Sequence, residues 1–231
     1  PIQTGVAAGA VAATRAAVQQ ESAFAGIRKT VDDTEQNLQK LRSNLYELSS
    51  RTPVGFSDLS RIGELAGQLG VRGVDNLTKF ADTIARISVS TSLSAEAASL
   101  SFARISNVMQ ETIRNVDRLG ATVGDLGNKF ATTEPEIAEL GERIAGAGKI
   151  AKLTTADVLA IAAAVTSVGV NAEAGGTAVQ KMLIAMTQSV VKADDKLGSF
   201  SKLAGVSAEQ FQKLFKTAPI EAFTRVVEGL G

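Results

Sequence analysis

The 231-residue sequence has no cysteine, no histidine and no tryptophan, a single tyrosine and four prolines. Lack of cysteine excludes disulfides and thiolate chemistry. Lack of histidine removes the commonest general base and the commonest metal ligand. Most hydrolase and metalloenzyme classes end there, and the chain is expected to hold no cofactor, no metal and no catalytic residue. Aromatic residues make up 4% of the chain against a hydrophobic fraction of 45%. Alanine supplies much of that fraction, so the expected core is built of small side chains. It is expected to be modestly stable, melting well below the hyperstable range above about 90 °C. Lysine plus arginine equal aspartate plus glutamate at 24 each, and no basic block or arginine stripe stands out, which argues against a specific nucleic-acid surface. The longest uncharged runs, Pro1 to Thr14 and Val158 to Ala172, fall short of the ~18 residues a membrane helix needs, so no membrane contact is expected from this stretch. The opening PIQTGVAAGAVAATR resembles neither a signal peptide nor an intact N-terminus, and the chain reads as an excised fragment.

What is present is helical spacing. Phe24, Ile27, Val31, Thr34, Leu38, Leu41, Leu45 and Leu48 alternate three and four apart, which predicts a long heptad helix over residues 1–52. Two readings of it stand side by side: a coiled-coil seam of Phe24, Ile27, Val31, Leu38, Leu41, Leu45 and Leu48, or one amphipathic helix packed on its own domain. Pro53 and Gly55 interrupt the pattern, and residues 53–231 read as a second domain of short antiparallel helices with polar starts and glycine stops. Only Ile87 to Leu93 has strand-like composition, and it sits where a helix-to-helix turn is needed. The expected class is therefore all-α.

Ser94, Asn171 and Ser207 are expected helix N-caps, each followed two residues later by Glu96, Glu173 or Glu209, whose charge suits the positive end of the helix dipole. Gly169 and Gly205 would close the preceding helices in the left-handed conformation. Ile62, Leu65 and Leu69 match Ile137, Leu140 and Ile144 in spacing, and Ser94-Ala-Glu matches Asn171-Ala-Glu. A tandem three-helix repeat over 57–109 and 133–186 is the expectation, with C-terminal helices over 194–231. The stretch GVNAEAGGTAVQKML sets two adjacent glycines, each costing about 1 kcal/mol relative to alanine, in the first turns of a helix. Close helix packing is the expected return, through Gly175, Gly176 and Ala178 and their expected counterparts Ala97 and Ala98.

Three motifs invite chemistry. Gly141 and Gly146 share the first spacing of a phosphate-binding loop, but Ala147 stands where its lysine belongs and no strand precedes it. Gly67, Gly70 and Gly73 read as helix-end glycines. The carboxylate pairs Asp32/Asp33, Glu139/Glu142 and Asp194/Asp195 lack an aromatic sugar platform and read as solvated helix faces.

The segments RTPVGFSDLSRIGELAGQLGV, LTKFADTIARISVSTSLSAEAASLSFARI and LTTADVLAIAAAVTSVGVNAEAGGTAVQKMLIAM resemble, in that order, the conserved core domain of bacteriophage tail tape measure proteins. The likeness covers roughly Leu45 to Gly231, with Ala174, Gly175, Gly176, Thr177, Ala178, Lys181 and Met182 to Ile184 filling its most specific pattern. The resemblance implies a structural and assembly protein of a phage or prophage tail. Such a protein lies in the tail-tube lumen, sets tail length and is released during DNA ejection. It would be assembled in the host cytoplasm and located in the virion tail. The implied partners are further copies of itself, the tail-tube protein, tail assembly chaperones and baseplate or tail-tip proteins. Family members are much longer than 231 residues, which agrees with a fragment. Two other classes compete: a non-enzymatic helical protein-protein binding module unrelated to tails, and a peptidoglycan hydrolase in which Glu139 or Glu142 would act.

Overall fold

The computed structural model describes residue 18 and residues 20–231, so the uncharged run from Pro1 to Thr14 lies outside the described residues. Among those residues every regular element is helical and none is a strand. The helices are α1 (residues 20–30), α2 (Glu35–Arg51), α3 (Phe56–Gln68), α4 (Val74–Ser90), α5 (Ala95–Met109), α6 (Val116–Lys129), α7 (Glu134–Ile150), α8 (Thr155–Ser167), α9 (Ala172–Lys192), α10 (Asp195–Leu203), α11 (Ala208–Thr217) and α12 (Pro219–Glu228). A 3₁₀ turn, Ile113–Asn115, precedes α6.

The chain divides into two compact units: residues up to Arg104 with Thr112–Gly120, and Ile105–Glu111 with Ala121–Gly231. A boundary at residue 52 is not among these divisions, because α2 packs on α3 and α4 within the first unit.

Residues 1–17 of the expected long N-terminal helix lie outside the described residues, and from residue 20 on two helices stand in its place. Residues 31–34 are non-helical between α1 and α2. Thr34, at φ −66° and ψ 152°, turns its hydroxyl to the N–H of Asn37. Asp33 accepts from the Thr34 N–H at 2.8 Å and from Asn37 Nδ2 at 2.6 Å. Short polar side chains that bond nearby backbone in this way compete with helix continuation, and the seam residue Thr34 becomes a cap. The apolar seam residues Phe24, Ile27, Val31, Leu38, Leu41, Leu45 and Leu48 are all buried within the chain's own fold. Two glycines of α3 make room for them. A Cβ at Gly67 would lie 2.7 Å from Val31 Cγ2, and one at Gly63 would lie 3.0 Å from Ile27 Cδ1. Gly67 is therefore a packing glycine inside α3 rather than a helix-end glycine, whereas Gly70 and Gly73 carry positive φ.

The helix lengths set a different register for the repeat. Helices α3, α4 and α5 have 13, 17 and 15 residues, whereas α7, α8 and α9 have 17, 13 and 21. It is α2, α3 and α4, with 17, 13 and 17, that follow the lengths of α7 to α9. At an offset of 99 residues α1 ends at 30 and α6 at 129, Thr34 and Thr133 are both N-caps, and Gly70 and Gly169 both take positive φ. Buried positions correspond at the same offset: Leu38 with Ile137, Leu41 with Leu140, Leu45 with Ile144, Leu59 with Val158, Phe80 with Val179 and Ile84 with Leu183. A four-helix pattern thus occurs twice along the chain, as α1–α4 in the first unit and as α6–α9, of which α6 from Ala121 onward and α7–α9 belong to the second.

Helix ends recur as well. Gly70, Gln110, Lys152 and Gly205 all sit at positive φ within two residues of a helix end. The next N–H in each case reaches back five residues: Val71 to Ala66, Glu111 to Ser106, Leu153 to Gly148 and Val206 to Ser201, at 2.9–3.0 Å. This closure satisfies carbonyls that a helix end leaves open.

The core is less uniformly small than composition suggests. Phe24, Phe80, Phe102 and Phe211 are fully buried, and Phe56, Phe215 and Phe223 nearly so. Small residues dominate in α7–α9, where α7 packs on both α8 and α9. A Cβ at Gly141 would lie 3.0 Å from Leu159 Cδ2, and one at Gly148 would lie 2.6 Å from Val158 Cγ2.

Candidate functional site

The second unit carries an open apolar groove, and its floor begins with α8. Thr154 caps that helix in a reciprocal box with Asp157, whose carboxylate accepts from the Thr154 N–H at 2.9 Å. The helix TADVLAIAAAVTS is apolar on nearly every side. Its inner side, Val158, Leu159 and Ala162, is buried. Its outer side, with Ala160, Ala164 and Val168, is exposed, and Val168 keeps 76% of its surface. A helix apolar all round is ordinarily covered all round.

Helix α9 supplies the second wall through Ala178 and Met182, and α12 the third through Ile220, Thr224 and Val227. The space between them is about 590 Å³. Glu228, at the end of α12, is the one charged side chain on its lining. Lys181 lies just outside, on a shallower depression that shares Ala178. Burial of Ala222, Phe223 and Val226 holds α12 in place against α10 and α11.

The glycines and alanines of the sequence motif divide between core and groove. Gly175 and Gly176 are buried in the first turns of α9. A Cβ at Gly175 would meet Val165 Cγ1 at 2.7 Å and Leu140 Cδ1 at 3.1 Å, and one at Gly176 would meet the Arg143 stem at 3.1 Å. Side chains of α7 and α8, not a neighbouring backbone, fill the space the glycines leave. Ala178, at the edge of the buried row that runs through Gly175 and Val179, is exposed at the groove. Ala98 is buried and Ala97 half-buried on α5, but at the offset of 99 the counterparts of Gly175 and Gly176 are Asn76 and Leu77 on α4.

The polar helix starts are occupied by backbone. Ser94 accepts from the Ala97 N–H at 3.2 Å, Asn171 from Ala174 at 2.8 Å and Ser207 from Gln210 at 3.2 Å. The carboxylates are engaged in the same way. Asp33 and Asp194 accept backbone N–H groups, and Glu139 pairs with Arg143 at 3.0 Å along α7. Arg28 donates to Glu35 at 2.5 and 2.7 Å, and this hydrogen bonding, with Gln39 adding to it, holds the Glu35 carboxyl at about 2. Hydrogen bonds from Thr133 lower Glu136, and Lys79 lowers Asp117. These are caps and surface ion pairs, not a converging acid pair. No group of acidic residues able to hold a metal occurs among the described residues, and no described helix is long and apolar enough to cross a membrane.

A further depression of about 450 Å³ in the first unit includes Arg51 and Arg86. Each arginine already has an acid one turn back, Glu47 at 3.5 Å and Asp82 at 3.0 Å. What sequence reasoning missed is the groove. Its signal was the uncharged run Val158 to Ala172, which exceeds what one buried helix face requires.

No curated protein and no solved structure matches the chain. Residues 42–230, from within α2 to beyond α12, match the model of the family described as phage-related minor tail protein, and the chain belongs to that family.

Proposed function

We propose that this chain is the conserved helical core of a tail tape measure protein. In this reading it occupies the lumen of the growing tail tube, sets tail length and leaves through the tube when DNA is ejected. The observation that carries the reading is the family match across residues 42–230, on helices whose capping residues and carboxylates serve the fold. Close packing through Gly141, Gly148, Gly175 and Gly176 suits a scaffold rather than a reaction chamber. Its partners are further copies of itself, the tail-tube protein, the assembly chaperones and the baseplate or tail-tip proteins. Since the leucines of α2 are buried in their own unit, self-association runs through other surfaces.

The test is genetic. A phage lacking the gene is complemented with the intact gene or with one lengthened in frame by 28 helix-forming residues. Tails about 42 Å longer, at ~1.5 Å per helical residue, are expected from the lengthened gene, and tails of unchanged length overturn the ruler role.

A further inference from the structure

Helix α8 is apolar on the side that the fold leaves uncovered. Asp157 is its only charged residue and is taken up by the Thr154 cap, whereas Ala160, Ala164 and Val168 stand at the open groove. That surface has both hollows and projections. Ala164 and Ala178 present one methyl group each, while Val168 and Val227 on the same lining keep 76% and 44% of their surface.

Its two walls carry opposite charges. Lys181 stands on α9 beside the groove, and Glu228 lines it at the end of α12. Both are exposed. Neither makes an ion pair or a side-chain hydrogen bond among the described residues, whereas Arg143 on α7 and Arg225 on α12 each hold an acid one turn back, Glu139 at 3.0 Å and Glu221 at 2.7 Å.

An apolar patch that holds hollow and projection together, with an unpaired cation on one wall and an unpaired anion on another, is complementary to itself. A twofold axis sets one patch against its own duplicate, so every contact is made twice. We infer that the α8–α9–α12 groove is the interface of a symmetric pair of these chains. Val168 of each chain seats against the alanines of the other, and Lys181 of each meets Glu228 of the other. The apolar centre supplies affinity, and the charges at the edge fix register and partner choice. The inference deepens the self-association in the proposed function and rests on that part of it, naming the surface used while the α2 leucines stay closed inside their own unit.

Sedimentation equilibrium of the intact chain over a range of concentrations is the test, and a monomer–dimer equilibrium is expected. Ala164→Glu and Ala178→Glu alter positions that are exposed in the single chain. Circular dichroism should therefore be unchanged while dimerisation weakens by at least about tenfold. Lys181→Glu and Glu228→Lys each set like charges opposite one another at both edges and should weaken it as well. Mixing these two single variants restores opposite charges at both edges, so a heterodimer should form where neither variant pairs with itself. A chain that stays monomeric, a trimer or larger ring, association indifferent to the alanine substitutions, or a mixture no more associated than its components overturns the inference. Tails that still lengthen with the gene in that case would leave the ruler role standing, which tells the two failures apart.

Discussion

Thr34 and Thr133 stand 99 residues apart, and each accepts the backbone N–H of the residue three further on, Asn37 for one and Glu136 for the other. Each is the last residue of a four-residue break, and each opens a helix of 17 residues. Thr34→Ala and Thr133→Ala should each lower the unfolding free energy by about 1 kcal/mol. Because the sites lie in different units, the double variant should lose their sum. Urea denaturation measures this, and two silent substitutions would contradict the assigned caps.

Glycines of the second unit should split by what surrounds them. Gly175→Ala brings a methyl group against Val165, Leu140 and Val170 and should cost about 1–3 kcal/mol as overpacking. Gly146 lies within α7 with nothing near its missing Cβ. There alanine should add about 1 kcal/mol through helix propensity. Opposite signs in the same denaturation assay support the packing, and equal signs count against it.

The all-α class was legible because helical spacing and glycine or proline punctuation recur along the chain, with Pro53 between α2 and α3 and Gly169 between α8 and α9. The break at residues 31–34 was not legible, since a three-four spacing of apolar residues persists when a helix stops and restarts in phase. Thr34, read as a polar seam position, carried the only hint. The repeat register was misjudged from Ile62, Leu65 and Leu69. Apolar residues at one-turn spacing fit any pair of helices, whereas helix and loop lengths distinguish them. The groove was hidden for a related reason: alanine at positions 160, 164 and 178 reads as core in a sequence, and only coordinates separate the covered alanines from the open ones.

Ser60 on α3 is fully buried, and its hydroxyl has no hydrogen-bond partner. Its counterpart in the second unit is Leu159, which packs on Gly141. An unsatisfied buried hydroxyl carries a desolvation penalty, so Ser60→Ala should raise the unfolding free energy by about 1 kcal/mol. A loss of stability in thermal or urea unfolding would show that the hydroxyl is satisfied in solution.

Glu35 supplies a pH dependence. Its folded value, about 2, lies below its ordinary 4.5 because Arg28 hydrogen-bonds the ionised form. The stabilisation is fully present above the ordinary value and is lost as pH falls from about 4.5 through about 2. Carboxyl resonances should show Glu35 titrating near 2 in the native chain and within the ordinary carboxylate range in Arg28→Ala. The pair is solvent-exposed, so added salt should narrow the difference. An unshifted Glu35 in the native chain would remove the ion pair from the account.

Hydrogen exchange resolved to single amides tests most directly the central claim, that a four-helix pattern repeats at 99 residues with its leucines closed inside each copy. Slow exchange is predicted over α1, α2, α6 and α7, broken by fast amides at residues 32–33 and again near residue 131. Uninterrupted protection from residue 20 to residue 51 would restore a single rod-like helix and contradict the account.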